Sequence, residues 1–157
     1  MIETIYFDMD GVLVNMERYF LENCGGDSFY IKAKLGVPEL IKLFHQHIKN
    51  EDMFSNLHPM DDHELAKHIM TSLIGGGYKV CILSCTSQTF LGNKIGDLMC
   101  AQKMRWLHHN KFFRMGIEAK FVDSHAEKAK YANSTTLLID DSLACIEPFR
   151  AKGGHTI

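Results

Sequence analysis

The sequence predicts an α/β fold: a parallel sheet with helices packed on it and a small helical segment inserted after the first strand. Three observations lead there. Short apolar runs are continuous rather than alternating, as in strands covered on both faces. Helix-period patterns separate those runs, the signature of strand–helix alternation. The stretch 16–59, between the first two strong strands, is longer than a simple crossover needs and reads as mainly helical.

Taken in order, Ile5-Tyr6-Phe7 is the first strand and ends at Asp8-Met9-Asp10-Gly11. Leu40, Ile41, Phe44 and Ile48 then repeat at helical spacing behind Pro38, a proline suited to a first turn. Leu65, Ile69 and Leu73 form a second helical stripe, with Glu64 in the first turn and Gly75-Gly76-Gly77 as its stop. Val80-Cys81-Ile82-Leu83 is the second strand and ends at Ser84. A third helix is expected over about 95–108, with Lys103 and Trp106 three apart on one side. Phe121-Val122 and His155-Thr156-Ile157 are weaker strand candidates, and Leu137-Leu138-Ile139 is a strong one ending at Asp140-Asp141-Ser142. The division that follows is a core of 1–15 and 60–157 around an insertion of 16–59.

Composition excludes several classes. With 157 residues, 46% apolar and 23% charged, the chain reads as one ordinary globular domain. A formal net charge of −2 offers no footprint for a nucleic acid polymer or a membrane surface. No apolar run is long enough to span a bilayer, and Met1-Ile2-Glu3-Thr4 lacks the start of a signal peptide, so a cytoplasmic location is expected. Cys24, Cys81, Cys85, Cys100 and Cys145 are odd in number and irregular in spacing, which suits reduced core thiols better than disulfides or zinc ligands. His45, His47, His108 and His109 lack a second ligand pair at metal spacing and are expected on helix surfaces.

All three strong strands end in polar residues, and in an open parallel sheet ligands bind beyond the carboxyl ends of strands. Asp8, Asp10, Ser84, Asp140 and Asp141 are therefore expected to converge on one crevice. Asp8 and Asp10 lie two apart, on one side of an extended segment. Four carboxylates in one site repel each other unless a cation joins them, and oxygen ligands suit Mg²⁺. Either pair alone reads equally well as turn or cap residues; two pairs directly after apolar strands read as a site. Gly11 permits a tight turn and close backbone approach. Ser84 offers a hydroxyl to a phosphate oxygen, a part that Thr86 or Ser87 could also play.

Phe7 through Val14, FDMDGVLV, resembles the first motif of the haloacid dehalogenase (HAD) superfamily, with Ser84 and Asp140-Asp141 matching its second and fourth motifs in order. Within it the chain is most similar to the cytosolic 5′(3′)-deoxyribonucleotidase group, through DMDGVL, the KxxW segment Lys103-Met104-Arg105-Trp106, the LLIDD segment, and a stretch like Phe54 through Pro59. The resemblance implies a HAD-like Rossmannoid fold of three layers with a small helical cap over 16–59. It implies a Mg²⁺-dependent phosphomonoester hydrolase in which Asp8 forms an aspartyl-phosphate and Asp10 acts as acid and then base. Asp8, the Asp10 carbonyl, Asp140 and Asp141 would hold the metal, and Ser84 a phosphoryl oxygen. A lysine should balance the phosphate: Lys103 matches the KxxW lysine, Lys130 precedes Asp140 by the family's spacing, and Lys128 is the fallback.

Two departures stand out: Asn15 replaces a common aspartate, and Ser84 to Lys103 is a wider spacing than in the nucleotidases. Gly11, Cys85, Phe20 and Phe54 are expected against the substrate, and the insertion offers Tyr19, Phe20, Phe29, Tyr30, Phe44 and Phe54 either as stacking surfaces for a nucleobase or as its own small core. A nucleoside monophosphate is the first expectation and another small phosphomonoester such as a sugar phosphate the second. A homodimer is compatible with this reading. The competing classes are a phosphate- or metal-binding regulatory domain without turnover and a receiver-like signalling domain. A receiver, however, gathers its acidic pair early and its phosphorylated aspartate mid-chain, the reverse of the order here.

Overall fold

In the computed structural model, which describes residues 1–157, five strands form one parallel sheet. They are β1 (Thr4–Phe7), β2 (Lys79–Cys85), β3 (Glu118–Val122), β4 (Thr136–Ile139) and β5 (His155–Thr156), in the order β3-β2-β1-β4-β5. The register sets Phe7 beside Ile82 on one side and Ile139 on the other, so β1 is central and its carboxyl end opens between two neighbours. That is the switch point at which an open α/β sheet makes a crevice.

Successive strand residues enter opposite layers. Ile5, Phe7, Val80 and Ile82 join the larger apolar cluster, whereas Tyr6, Cys81, Leu83 and Leu138 join a smaller one on the other face. Continuous apolar strands are thus explained: both faces are covered. The larger layer is built on α4 (His63–Gly75) and α6 (Asn93–His109), through Met70, Met99, Trp106 and Leu107. The smaller is built on α7 (Leu143–Ala151) and a 3₁₀ helix, His125–Tyr131, through Cys145, Phe149 and Tyr131.

The insertion holds α1 (Met16–Cys24), α2 (Ser28–Leu35), α3 (Val37–Glu51) and a 3₁₀ turn, Met53–Ser55. Asn15 caps α1, its side-chain oxygen accepting from Arg18 N at 2.9 Å, as an asparagine at that position should. Both ends leave the core side by side: Asn15 N donates to His58 O at 2.8 Å and Met60 N to Leu13 O at 2.9 Å. Phe20, Ile31, Leu40 and Ile48 of the insertion share one apolar cluster with Phe7 and Trp106.

Two sequence expectations change, and one helix is unforeseen. Leu65 and Ile69 of α4 are 59% and 45% exposed, while Met70 is buried and Ala66, Leu73 and Ile74 pack beside it. Two adjacent apolar stripes run along that helix, and the sheet takes the one displaced by one residue. His47, expected on a surface, is half-buried, with Nδ1 3.0 Å from Tyr19 Oη and Nε2 3.3 Å from Cys24 Sγ. Helix α7, which carries Pro148 inside it, has no expectation behind it; buried Cys145 and Phe149, four apart, hold it against the sheet although the proline removes one backbone bond. All five cysteines are unpaired.

Candidate active site

The chain after β1 folds back at once. Leu13 N and Val14 N both donate to Met9 O, at 2.8 and 3.0 Å, and Gly11 N donates to Val14 O at 3.0 Å. This turn aims Asp8 and Asp10 into the crevice. Asp8 N donates to Ile139 O at 2.9 Å, which brings the end of β1 against Asp140 and Asp141 after β4. Gly11 has φ +75°, and a Cβ there would lie 2.0 Å from Asp141 Oδ2. Only glycine allows the carboxylate so close to the turn.

Asp8, Asp140 and Asp141 each present an oxygen within 4.8 Å of the others, a set of hard donors suited to a divalent cation. The Asp141 carboxyl is pushed above its ordinary range by burial, then by the charges of Asp8 and Asp140, although it stays open to the cavity. Two buried lysines face the acids. Lys128 Nζ lies 2.8 Å from Asp8 Oδ1 and 2.7 Å from Asp140 Oδ2. The first contact is close but off the hydrogen-bond direction, so that Asp8 Oδ1 has an ionic neighbour without a directed bond. Lys103 Nζ donates to Asp10 Oδ2 at 2.6 Å, Ser84 Oγ at 3.0 Å and Cys85 O at 2.8 Å. Burial pulls the Lys128 pKa down, but Asp8 and Asp140 outweigh it and the net shift is upward. Four acids against two ammonium groups leave two negative charges, the complement of one divalent cation. Asp10 Oδ1, buried with no hydrogen bond, is the remaining unsatisfied atom.

Above this floor lies a cavity of about 710 Å³, lined by Asp8, Asp10, Gly11, Cys85 and Asp141, and higher up by Leu40, Phe44, Phe54 and Met99. The Lys103 ammonium sits 4.9 Å from the centre of the Phe54 ring, so floor and wall meet there. Helix α6 fixes both. Beside Lys103, Gln102 accepts from Phe54 N at 3.0 Å and donates to Ile48 O at 2.6 Å, and Trp106 Nε1 donates to Leu57 O at 2.8 Å. Arg105 Nε donates to Ser55 Oγ at 3.1 Å and its guanidinium also pairs with Asp52. The KxxW spacing thus places a lysine under the site and a tryptophan against the descending arm of the insertion.

Two expected site residues stand elsewhere, and a third lies covered at the centre. Lys130 is exposed and pairs with Glu127. In a 3₁₀ helix residues three apart share a face: Lys130 lies with Glu127 toward solvent, and Lys128 lies with Tyr131 toward the sheet. The fallback lysine therefore occupies the site, and the apolar partner three residues later was the available signal. Phe20 is fully buried, edge-on to Phe44 at 5.0 Å, and belongs to the apolar core; Phe44 lines the cavity instead. Ser84 comes to the centre but is fully buried under Lys103, and the cavity wall there is Cys85 and Ser87. Thr86 turns away, donating to Val122 O at 3.2 Å. Unforeseen in the cavity are Phe90 and Leu91 of α5 (Gln88–Leu91) and Asp123, Ser124 and His125. Loop residues beyond β2 and β3 carry no periodicity to mark them.

Solved structures share this architecture. A HAD family enzyme from Bacteroides thetaiotaomicron is 18% identical, with a TM-score of 0.58, over 99% of this chain and 92% of its own. The wild-type form of that enzyme in complex with magnesium and inorganic phosphate gives the same TM-score of 0.58 at 17% identity, over 100% and 93%. A HAD-superfamily hydrolase from Ehrlichia chaffeensis is 14% identical, with a TM-score of 0.53, over 99% and 87%. The D,D-heptose 1,7-bisphosphate phosphatase from Burkholderia thailandensis is 15% identical, with a TM-score of 0.50, over 97% and 74%. The fold is the HAD-like Rossmannoid fold, an α/β architecture on a five-stranded parallel sheet. The sequence itself matches no protein-family model and no curated protein.

Proposed function

We propose that the protein is a Mg²⁺-dependent phosphomonoesterase working through a phosphorylated Asp8, and that nucleoside monophosphates are its first substrates. The observation that carries this reading is the floor itself. It combines Asp8 and Asp10 after β1, Asp140 and Asp141 after β4, and two buried lysines, with an uncompensated double negative charge at the point where a cavity begins. A protein of the same fold binding magnesium and inorganic phosphate supports it.

Asp8, Asp140, Asp141 and the Asp10 carbonyl would hold the ion, which when bound offsets the charge of the carboxylates and the phosphoryl oxygens. An Asp8 oxygen attacks phosphorus, and the bond from phosphorus to the leaving oxygen breaks as Asp10 gives that oxygen a proton. Oδ1 of Asp10 is the atom free to carry it, because Oδ2 is tied to Lys103. Water then attacks the phosphorus, Asp10 takes its proton, and the bond to Asp8 breaks. Lys128 orients the Asp8 and Asp140 carboxylates throughout, and Lys103 holds Asp10. With Ser84 beneath the floor, the phosphoryl oxygens meet Ser87 and the backbone of the loop beyond β2. The segment 16–59 acts as the cap, since both its ends leave the core together and its Phe29, Leu40, Phe44 and Phe54 line the cavity.

The test is phosphate release from deoxy- and ribonucleoside monophosphates and sugar phosphates, with Mg²⁺ or EDTA. Release that needs Mg²⁺ and is lost in Asp8→Asn supports the reading. Turnover surviving in Asp8→Asn removes the covalent mechanism, and none from any ester removes the enzyme.

A further inference from the structure

We propose that Phe29 and Phe90 form an aromatic mouth that selects singly phosphorylated compounds carrying a flat apolar group, and that the same cavity turns away a second phosphate. This rests on the reading of the carboxylate–lysine floor as a phosphate site and goes beyond it to what the rest of the ligand must be.

Phe29 stands on α2 of the insertion and Phe90 on α5 after β2, so the two rings come from separate parts of the chain to one cavity. They are 75% and 48% exposed, although each lines a cavity whose deeper wall is Leu40, Phe44 and Phe54. An isolated exposed phenylalanine is unremarkable. Two on one cavity, exposed where Leu40 and Phe54 are buried, continue its apolar wall outward beside the polar side chains that share the lining.

Phe90 is also held in place. The residue before α5, Ser87, has φ +53°, a left-handed conformation that a non-glycine residue adopts at a cost. Leu91 is buried beneath, and Gln88 Nε2 donates to Asp97 Oδ1 at 2.9 Å while its Cγ fills the space a Cβ on Gly96 would need. The turn is anchored on both sides and presents its ring outward.

Charge supplies the second half. No lysine or arginine lines the cavity; Lys103 and Lys128 lie beneath its floor, occupied with Asp10, Ser84, Asp8 and Asp140. Outside the floor the cavity is lined by the carboxylates of Glu17 and Asp123, with His125 the single side chain there able to take a positive charge. A second phosphate would meet these carboxylates or the apolar wall.

Binding to the full-length protein with Mg²⁺ tests this by calorimetry, using phenylphosphonate, methylphosphonate and an alkyl bisphosphonate long enough to span the cavity. Wild type is expected to bind phenylphosphonate at least about ten-fold more tightly than methylphosphonate, and the bisphosphonate no more tightly than methylphosphonate. In Phe29→Ala and in Phe90→Ala the phenyl-to-methyl ratio is expected to fall about two- to twelve-fold, the worth of one aromatic pair. Circular dichroism confirms that these surface variants fold. An unchanged ratio in both variants, tightest binding of the bisphosphonate, or no binding of any phosphonate overturns the proposal. Aromatic preference in a protein that hydrolyses no monoester would uphold the mouth and sink the phosphatase reading; hydrolysis without that preference would do the reverse.

Discussion

Replacing Lys128 by methionine keeps its length and apolar stem but removes the charge between Asp8 and Asp140. The ammonium is fully buried, 2.8 Å from one carboxylate and 2.7 Å from the other, so neither acid gains water in exchange. Breaking a buried ion pair from one side costs about 3–5 kcal/mol, because the surviving charge stays buried and unpaired. With an m-value of about 2 kcal/mol/M, the urea midpoint in EDTA should fall by roughly 2 M. The single tryptophan, Trp106, is buried and stacked on Phe112 at 5.7 Å between centroids, so its emission reports unfolding. The sign of the pH dependence is also set. The raised folded-state pKa of Lys128 means its stabilisation is complete below the ordinary lysine value and is lost only as pH rises above it. At neutral pH the wild type therefore carries all of it. Lys130→Met is the control, and because that side chain is exposed its midpoint should match wild type. A loss under about 1 kcal/mol for Lys128→Met, or equal losses in the two variants, would refute the assignment of the buried lysine.

Asp141→Asn should stabilise the metal-free protein at neutral pH. The folded-state carboxyl is raised by burial and then by Asp8 and Asp140, so its contribution is present below the ordinary carboxylate value and lost as pH rises through the raised one. Melting curves in EDTA from acid to neutral pH should flatten in the variant, and Mg²⁺ should stabilise it less than wild type; parallel curves would contradict this. Gln102→Ala orphans Phe54 N and Ile48 O and should cost about 3 kcal/mol in urea unfolding, whereas a cost under about 1 kcal/mol would mean that water replaces the amide.

The parts of the fold legible in the sequence were those where one physical signal dominates. Unbroken apolar runs at Ile5, Val80 and Leu137 became the three central strands because both faces are covered, and the aspartates behind them met because the strands are parallel. Pro38 opened a helix and the three glycines from Gly75 closed one, as local backbone chemistry requires. Failures came where two signals competed or none existed. Helix α4 offers two adjacent apolar stripes, and only packing chooses between them. Lys128 and Lys130 are equivalent by composition, and the choice depends on a 3₁₀ period that spacing to Asp140 does not reveal. Phe20 and Phe44 are both aromatic residues on insertion helices, yet one faces the core and the other the cavity.

Helix α6 ties Lys103 and the arm around residues 48–57 into a single rigid piece. Its consequence is a division of labour under selection. Any drift in the backbone at Phe54 is transmitted to the lysine beneath it, so that wall is inherited with the chemistry. Helices α1 and α2 are joined through Gly25 and Gly26, and α2 meets α3 at Gly36, free of such ties to α6. Descendants of this protein that acquire new substrates should therefore differ first around Phe29, where lengthening or shortening the chain leaves the reacting groups in place.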